Sequence, residues 1–212
     1  MTTKKIGFFG GSFDPVHNGH LQVAVELSEF FGGHRVDLLP CKKPVHKSES
    51  TLTPDQRLMI LKAALLGEPT LGLDCREIAR EGPSYSVDTL KELGSTNDDP
   101  VVMAIGTDSA LTLESWYQSD QFSQLCNLVV LKRPGFDDTD LCVRLKCSGF
   151  EDVACEAPEL RSTKAGLVTI IPVTHLEISS SEIRTRIAQN LSIKYLVPNA
   201  VREIICDNHF YC

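Results

Sequence analysis

The amino-acid sequence predicts a doubly wound, Rossmann-like α/β fold: a parallel sheet covered by helices on both faces, with a helical C-terminal end. Short apolar runs typical of buried strands alternate along the chain with longer segments of helical periodicity. A glycine-rich turn joins the first of these strands to its helix, as at the first βα turn of many doubly wound folds. No internal repeat, low-complexity tract or linker interrupts the alternation, so residues 1–212 are predicted to form one domain.

Composition and charge limit the classes of function. The chain is 42% hydrophobic and 23% charged, as in ordinary globular proteins. Its formal net charge of −7 argues against nucleic-acid binding, which needs a basic surface. No signal peptide and no apolar run long enough to cross a membrane are present, so we expect a cytoplasmic protein with no membrane partner. The 8 cysteines form no C-x-x-C pair, so we expect reduced thiols and no zinc site.

The first βαβ unit begins with a predicted strand over residues 6–9. A glycine-rich turn over residues 10–20 (GGSFDPVHNGH) follows, and the next helix ends near Phe31, where Gly32-Gly33 can stop it. Residues 35–39 predict the second strand. Two parallel strands joined by a helix imply a right-handed crossover.

The glycine-rich turn has the properties of an anion site. The first N–H groups of a helix have no intrahelical partner, and the helix dipole favours negative charge there. His17 and His20 are three residues apart, so a helix beginning near Val16 would place both imidazoles on one face. We therefore predict that both histidines surround one phosphate centre.

A basic loop over residues 41–50 follows the second predicted strand and contains Lys42, Lys43, His46 and Lys47. Ligands of open α/β sheets bind beyond the carboxyl ends of the strands, so this loop could contact a ligand. A solvated loop would have the same composition, and the residues alone leave both interpretations open.

The next helix, over residues 53–66, has a clear start. Thr53 is a good N-cap, Pro54 suits the first helical position and Gln56 completes a capping box. Arg57 could face outward or toward a ligand cleft. A short strand is predicted to follow this helix.

A turn over residues 80–89 leads into a helix predicted to end at Gly94. Ser84 or Ser86 could cap this helix, or bind a ligand's carboxylate or amide. The strongly apolar residues 101–105 predict a central strand.

Two residues beyond the central strand could contact a nucleotide-like ligand. Asp108 could accept a hydrogen bond from a ribose hydroxyl or cap the next helix. Trp116 could stack on a planar ring or simply belong to the core.

The remaining chain predicts strands over residues 128–131 and 168–173. Between them we expect a helix over residues 139–146 and then a polar, irregular segment. A second anion-binding helix start follows, over residues 178–184 (ISSSEIR), with Arg184 one turn in. A final helix starts at Pro198.

The two helix starts could face one crevice. Arg184, the two histidines and a lysine of the basic loop would then supply donors to a polyphosphate. The sequence contains no G-x-x-x-x-G-K-[ST] loop, and its glycine turn does not complete G-x-G-x-x-G. These absences disfavour a P-loop enzyme and an NAD-dependent oxidoreductase.

Residues 17–20 (HNGH) resemble the H-x-G-H motif that nucleotidyltransferases share with class I aminoacyl-tRNA synthetases. Ser181 and Arg184 resemble the S-x-x-R motif of the same superfamily. Further segments resemble one family, the bacterial-type nicotinate mononucleotide adenylyltransferases, and they occur in that family's order. These segments are PVHK (44–47), GPSYSVDTL (82–90), IGTDS (105–109), WY (116–117) and YLVP (195–198).

The resemblance implies an enzyme of NAD biosynthesis that transfers the adenylyl group of ATP to nicotinate mononucleotide, giving deamido-NAD and pyrophosphate. It implies catalytic roles for His17, His20 and Arg184, and Mg²⁺ held mainly through the phosphates of ATP, with no protein metal ligands. The implied ATP-binding residues are Gly10, Ser12, Phe13, His17, His20, Gly106, Asp108, Arg133, Ser180, Ser181 and Arg184. The implied mononucleotide-binding residues are Lys42, His46, Lys47, Tyr85, Ser86 and Trp116.

Two departures and three alternatives accompany this resemblance. Lys47 stands where the family often has arginine, and residues 136–165 match nothing specific. The same reaction with nicotinamide mononucleotide, another transferase such as a phosphopantetheine adenylyltransferase, and a regulator on an inactive scaffold are the rival interpretations. The sequence indicates no oligomeric state.

Overall fold

Seven parallel strands form the sheet in the part of the chain that this computed structural model describes, residues 5–43, 50–96, 98–132, 138–152 and 157–212. The strands are β1 (Lys5–Gly11), β2 (Arg35–Pro40), β3 (Leu71–Leu73), β4 (Val102–Gly106), β5 (Asn127–Lys132), β6 (Glu151–Asp152) and β7 (Leu167–Pro172). They lie side by side in the order β3-β2-β1-β4-β5-β7-β6, and every neighbouring pair is parallel. The predicted doubly wound fold is confirmed.

Helices of very different length connect the strands. They are α1 (Asn18–Phe30), α2 (Pro54–Ala64), α3 (Arg76–Ala79), α4 (Ser86–Thr96), α5 (Thr107–Ala110), α6 (Phe122–Leu125), α7 (Asp138–Cys147), α8 (Ala157–Ser162), α9 (Ser180–Ala188) and α10 (Asn199–Asp207). Two single 3₁₀ turns, Leu113–Ser115 and Ser119–Gln121, lie between α5 and α6. Helices α9 and α10 form the expected helical C-terminal end.

Both faces of the sheet are covered by helices. Successive side chains of each strand point to opposite faces, so each strand contributes to both cores. In β4, Val102 and Ala104 belong to a core that includes buried residues of α1, α2, α9 and α10. Met103 and Ile105, from the same strand, belong to a second core with residues of α4, α6 and α7. This double coverage explains why the strands are apolar throughout rather than alternating.

The strand order changes direction between β1 and β4, which are neighbours in the sheet. Gly7 pairs with Val102, and Phe9 pairs with Ala104. In an open α/β sheet, a crevice opens beyond the carboxyl ends of two strands at such a switch point. The fold therefore places the glycine-rich turn after β1 beside the residues that follow β4.

The sequence prediction was wrong in the segment expected to be polar and irregular. There the structure has β6, which pairs with β7 at the sheet edge, and α8. Helix α3 was also not predicted, and α4 continues two residues past Gly94, to Thr96. These elements are too short, or too weakly patterned, to produce a hydrophobic period.

Within the described ranges, no helix has both the length and the apolar character needed to cross a lipid bilayer.

Gly7 tests how closely β1 and β4 approach. A Cβ atom at this position would lie 2.5 Å from the carbonyl oxygen of Val102. We expect Gly7→Ala to lower the free energy of unfolding by about 3 kcal/mol, because the strands must separate. Gly94→Ala is the control: an added Cβ on this exposed helical glycine meets no atom within 4 Å, so stability should rise by about 0.5 kcal/mol. Equal effects in urea unfolding would contradict the close approach.

Candidate active site

A cleft of about 870 Å³ lies beyond the carboxyl ends of β1 and β4. It is lined by the glycine-rich turn, the start of α1, the residues after β4, and the segment that leads into α9. This is the position that the strand order predicts for a ligand site. The sequence-predicted site residues that line it are Gly10, Ser12, His17, His20, Tyr85, Ser86, Gly106, Asp108, Trp116, Ser180, Ser181 and Arg184.

The two histidines form one stacked unit at the start of α1. His17 is the N-cap residue, with φ −143° and ψ 168°, and His20 is three residues into the helix. The ring centroids are 3.6 Å apart and the planes differ by 27°. The backbone N–H of His17 donates to Nδ1 of His20 at 3.3 Å. A neutral His20 that accepts at Nδ1 carries its hydrogen on Nε2.

The residue just before His20, Gly19, has to be small. A Cβ atom on Gly19 would lie 3.1 Å from Nδ1 and 3.2 Å from Cε1 of His17. Such contacts are tighter than those between ordinary packed atoms, so a larger residue would push the His17 ring aside. The glycine of the H-x-G-H motif is therefore explained by ring packing.

Phe13, predicted to bind ATP, lies in the core next to the cleft. Its side chain is buried and does not line the cleft. Its ring meets that of His20 edge to face, with centroids 5.1 Å apart, and also contacts Phe9. A Cβ atom on Gly11 would lie 3.0 Å from the same ring. Phe13 thus packs against the ring of His20 and does not itself line the cleft.

Arg184 and Ser180 join the second helix start to the glycine-rich turn. Helix α9 is capped by Ser179, whose hydroxyl accepts from the backbone N–H of Glu182 at 3.1 Å. Ser180 Oγ donates to the carbonyl of Pro15 at 2.9 Å, and Arg184 Nη1 donates to the carbonyl of Asp14 at 2.7 Å. The expected meeting of the two helix starts is present in the structure.

Arg57 faces neither solvent nor the cleft, although the sequence suggested one of the two. Its side chain is fully buried under the loops. Nη1 donates to the carbonyl of Ser12 at 2.7 Å, and Nη2 donates to the carbonyl of Lys42 at 3.1 Å. A single cation therefore links the loop after β1 to the loop after β2.

Aromatic side chains surround the end of the cleft near α4. The rings of Tyr85 and Tyr117 are 4.4 Å apart, and Trp116 meets Phe122 edge to face at 6.1 Å. All four residues line the cleft. Tyr117 had no role in the sequence prediction, although its neighbour Trp116 did. Together these rings form an apolar wall suited to a planar ligand.

Glu77 is a cleft residue that the sequence did not reveal. It is buried, and its Oε1 accepts from the Thr89 hydroxyl at 2.7 Å. Burial raises the pKa of Glu77, while hydrogen bonds from Thr89 and Ser84 act in the opposite direction. Ser84 Oγ in turn accepts from the backbone N–H of Lys42 at 2.9 Å. Glu77 thus anchors the turn before α4, and Ser84 connects Glu77 to the backbone of Lys42.

The lysine loop is only partly described. Lys42, predicted to bind the mononucleotide, donates from Nζ to the carbonyl of Arg80 at 2.9 Å and does not line the cleft. The PVHK segment, with His46 and Lys47, and Arg133 lie outside the described residues.

Comparison with known proteins gives consistent results. The sequence model of the cytidylyltransferase-like family matches residues 8–186. A protein from Marinomonas sp. (strain MWYL1), named probable nicotinate-nucleotide adenylyltransferase, is 40% identical over 97% of this chain and 94% of its own. A protein of the same name from Methylococcus capsulatus is 36% identical, over 97% and 99%.

Solved structures show the same fold. The nicotinic acid mononucleotide adenylyltransferase of Plasmodium falciparum complexed with NaAD has a TM-score of 0.72 at 19% identity, covering 98% of this chain and 97% of that one. The same enzyme complexed with APC has a TM-score of 0.66 at 20% identity, with coverage of 98% and 97%.

The structural role of Arg57 can be tested by replacing its guanidinium. Arg57→Met keeps much of the buried volume but leaves the carbonyls of Ser12 and Lys42 without their donor. We expect the free energy of unfolding to fall by about 3 kcal/mol, measured by urea unfolding. Arg186→Met is the control, because Arg186 makes only one hydrogen bond, to the Ser192 carbonyl near solvent, among the described residues. A loss below about 1 kcal/mol for Arg57→Met would refute this role.

Proposed function

The chain belongs to the cytidylyltransferase-like family and, within it, to the nicotinate-nucleotide adenylyltransferases, and on this premise we propose its reaction. The protein transfers the adenylyl group of ATP to nicotinate mononucleotide, forming deamido-NAD and pyrophosphate in NAD biosynthesis. The observation that carries the proposal is one cleft with two phosphate-suited helix starts on one side and an aromatic wall on the other.

The reaction is an in-line substitution at phosphorus. A phosphate oxygen of nicotinate mononucleotide attacks the α-phosphorus of ATP, and a new P–O bond forms. The bond from this phosphorus to the bridging oxygen breaks, and pyrophosphate leaves with the electron pair. No covalent protein nucleophile is needed, so the protein contributes positioning and charge stabilisation.

His17, His20 and Arg184 are the residues to which we assign that stabilisation. Nε2 of His20 donates to the phosphate on which negative charge develops, beside the N–H groups at the start of α1. His17 supports the same centre through its stacked ring. Arg184, with Ser181 on the same helix start, holds the leaving pyrophosphate.

The end of β4 suits the nucleoside part of ATP. A Cβ atom on Gly106 would meet nothing within 4 Å, so this glycine borders open space in the cleft. Asp108 lies two residues further on, in the first turn of α5, and also lines the cleft. We assign the ribose to Asp108 and the close approach of the nucleotide to Gly106.

Mg²⁺ enters the proposal together with ATP. Within the described residues, no three or more histidine, cysteine, aspartate or glutamate side chains group closely enough to hold a metal ion. His17, His20, Ser181 and Arg184 in the phosphate region are hydrogen-bond donors rather than metal ligands of the kind Mg²⁺ prefers, which suits an ion carried by phosphate oxygens and water. When bound, Mg²⁺ neutralises phosphate charge during the transfer.

The acceptor side favours a carboxylate over an amide. Helix α4 begins at Ser86, which lines the cleft beside Tyr85, so the positive end of its dipole favours an acidic group on the ligand there. The rings of Trp116 and Tyr117 provide an apolar surface for the pyridine ring.

A cytoplasmic location stays a prediction.

Purified protein with ATP and Mg²⁺ should release pyrophosphate when nicotinate mononucleotide is added. We expect about fivefold higher kcat/KM for the acid than for nicotinamide mononucleotide, since the helix start favours an anion by about 1 kcal/mol. Phosphopantetheine is the third acceptor in the same coupled assay. Absence of turnover with both pyridine mononucleotides would reject the proposal, and a preference for the amide would reject the acceptor assignment.

His20→Ala should lower kcat by about 10²–10³-fold, the usual cost of losing one donor to a developing charge. The fold should survive, as judged by circular dichroism. His34→Ala is the control. His34 precedes β2, so it lies at the amino ends of the parallel strands, whereas the cleft lies beyond their carboxyl ends. An unchanged kcat in the folded His20 variant would remove this residue from the mechanism.

A further inference from the structure

The carboxylate of Asp14, a residue that lines the cleft, is held on several sides. It is buried, with 4% of the residue exposed. Oδ2 accepts from the backbone N–H of Thr51 at 2.7 Å, and Oδ1 accepts from that of Leu52 at 3.4 Å. The hydroxyl of Tyr211 donates to Oδ1 at 2.8 Å. Asp14 and Tyr211 are 197 positions apart in sequence, so this contact depends wholly on the tertiary fold.

Arg184 lies beside this carboxylate without forming a tight ion pair with it. Its Nη1 is 4.0 Å from Asp14 Oδ2, whereas its hydrogen bond goes to the carbonyl oxygen of Asp14 at 2.7 Å. Among the described residues, the guanidinium makes no other hydrogen bond. About a third of the Arg184 side chain is exposed, and the residue lines the cleft.

The backbone that delivers Tyr211 has an uncommon conformation. His209 has φ +51° and Tyr211 has φ +67°, both in the left-handed region that non-glycine residues rarely adopt. Between them Phe210 is buried in the core, and its N–H bonds to the carbonyl of Ile205 at 3.0 Å. The segment after α10 is therefore folded back so that the Tyr211 hydroxyl reaches Asp14.

We propose that Tyr211 is a positioning residue for triphosphate binding: it holds the Asp14 carboxylate away from a bidentate pair with Arg184, so that the guanidinium stays directed at the phosphates. This inference deepens the proposed function and rests on it. Bidentate pairs between arginine and carboxylate are among the strongest polar contacts in proteins. A carboxylate released from Tyr211 would therefore compete with ATP for Arg184.

The protonation state of Tyr211 supports this role. Burial raises the pKa of Tyr211, and the neighbouring Asp14 raises it further, while Arg184 and Arg57 oppose the shift. The phenol is therefore a stable donor at neutral pH, and Asp14 accepts from it. The alternative is a purely structural role, in which Tyr211 only fastens the segment after α10 to the sheet.

Tyr211→Phe removes the hydroxyl and keeps the buried ring. We expect the Kd for ATP with Mg²⁺, measured by calorimetry, and the KM for ATP to rise about tenfold, the equivalent of one lost charge-assisted hydrogen bond. The kcat at saturating ATP should stay within about threefold, because the reacting centre is unchanged. Tyr195→Phe is the control, since 80% of this residue is exposed.

The same substitution in an Asp14→Asn background separates the two roles. Asparagine carries no charge to pair with Arg184, so adding Tyr211→Phe should change the Kd by less than about twofold. A full tenfold effect in this background, or a lowered Tm with an unchanged Kd in Tyr211→Phe, would overturn the inference. Wild-type protein that binds ATP but does not turn over with nicotinate mononucleotide would instead reject the proposed function, and the Kd comparison would still decide the role of Tyr211.

Discussion

The site depends on the capture of loop carbonyl oxygens by two arginines. Arg57 bonds the carbonyls of Ser12 and Lys42, and Arg184 bonds that of Asp14. Burying a guanidinium is costly unless its donors are satisfied, and the loop carbonyls need donors as much as the cation needs acceptors. The loops after β1 and β2 and helix α9, far apart in sequence, are thereby fixed against one another. The geometry of the phosphate region follows from that arrangement.

The histidines show how one set of atoms serves both folding and chemistry. The backbone N–H of His17, which precedes α1, is satisfied by the imidazole of His20, in the way that a glutamate or glutamine closes an ordinary capping box. The same contact fixes which nitrogen of His20 carries hydrogen and stacks the two rings. A ligand then meets donors that are already oriented, so little ordering has to accompany binding.

Local signals made much of the fold predictable. Thr53 and Gln56 form the expected capping box, and α9 begins within the predicted helix start, with Ser179 as its cap. The rest depends on contacts between residues distant in sequence, which leave no period in the chain. Strand β6 exists only through its pairing with β7. The site was predictable for residues in motifs, whereas the burial of Arg57 and the role of Tyr211 were not, because their partners lie 15 to 197 positions away.

Net charge illustrates why composition alone underdetermines a site. The chain carries −7 overall, yet its cleft is suited to anions through two helix starts and Arg184. Glu77 lines the same cleft near α4, where an ionised carboxylate would repel an acidic acceptor. Burial raises the pKa of Glu77, which favours its neutral form and reduces this repulsion. Burial therefore lowers the negative charge on Glu77, and an acidic acceptor binds more easily beside a neutral carboxyl group.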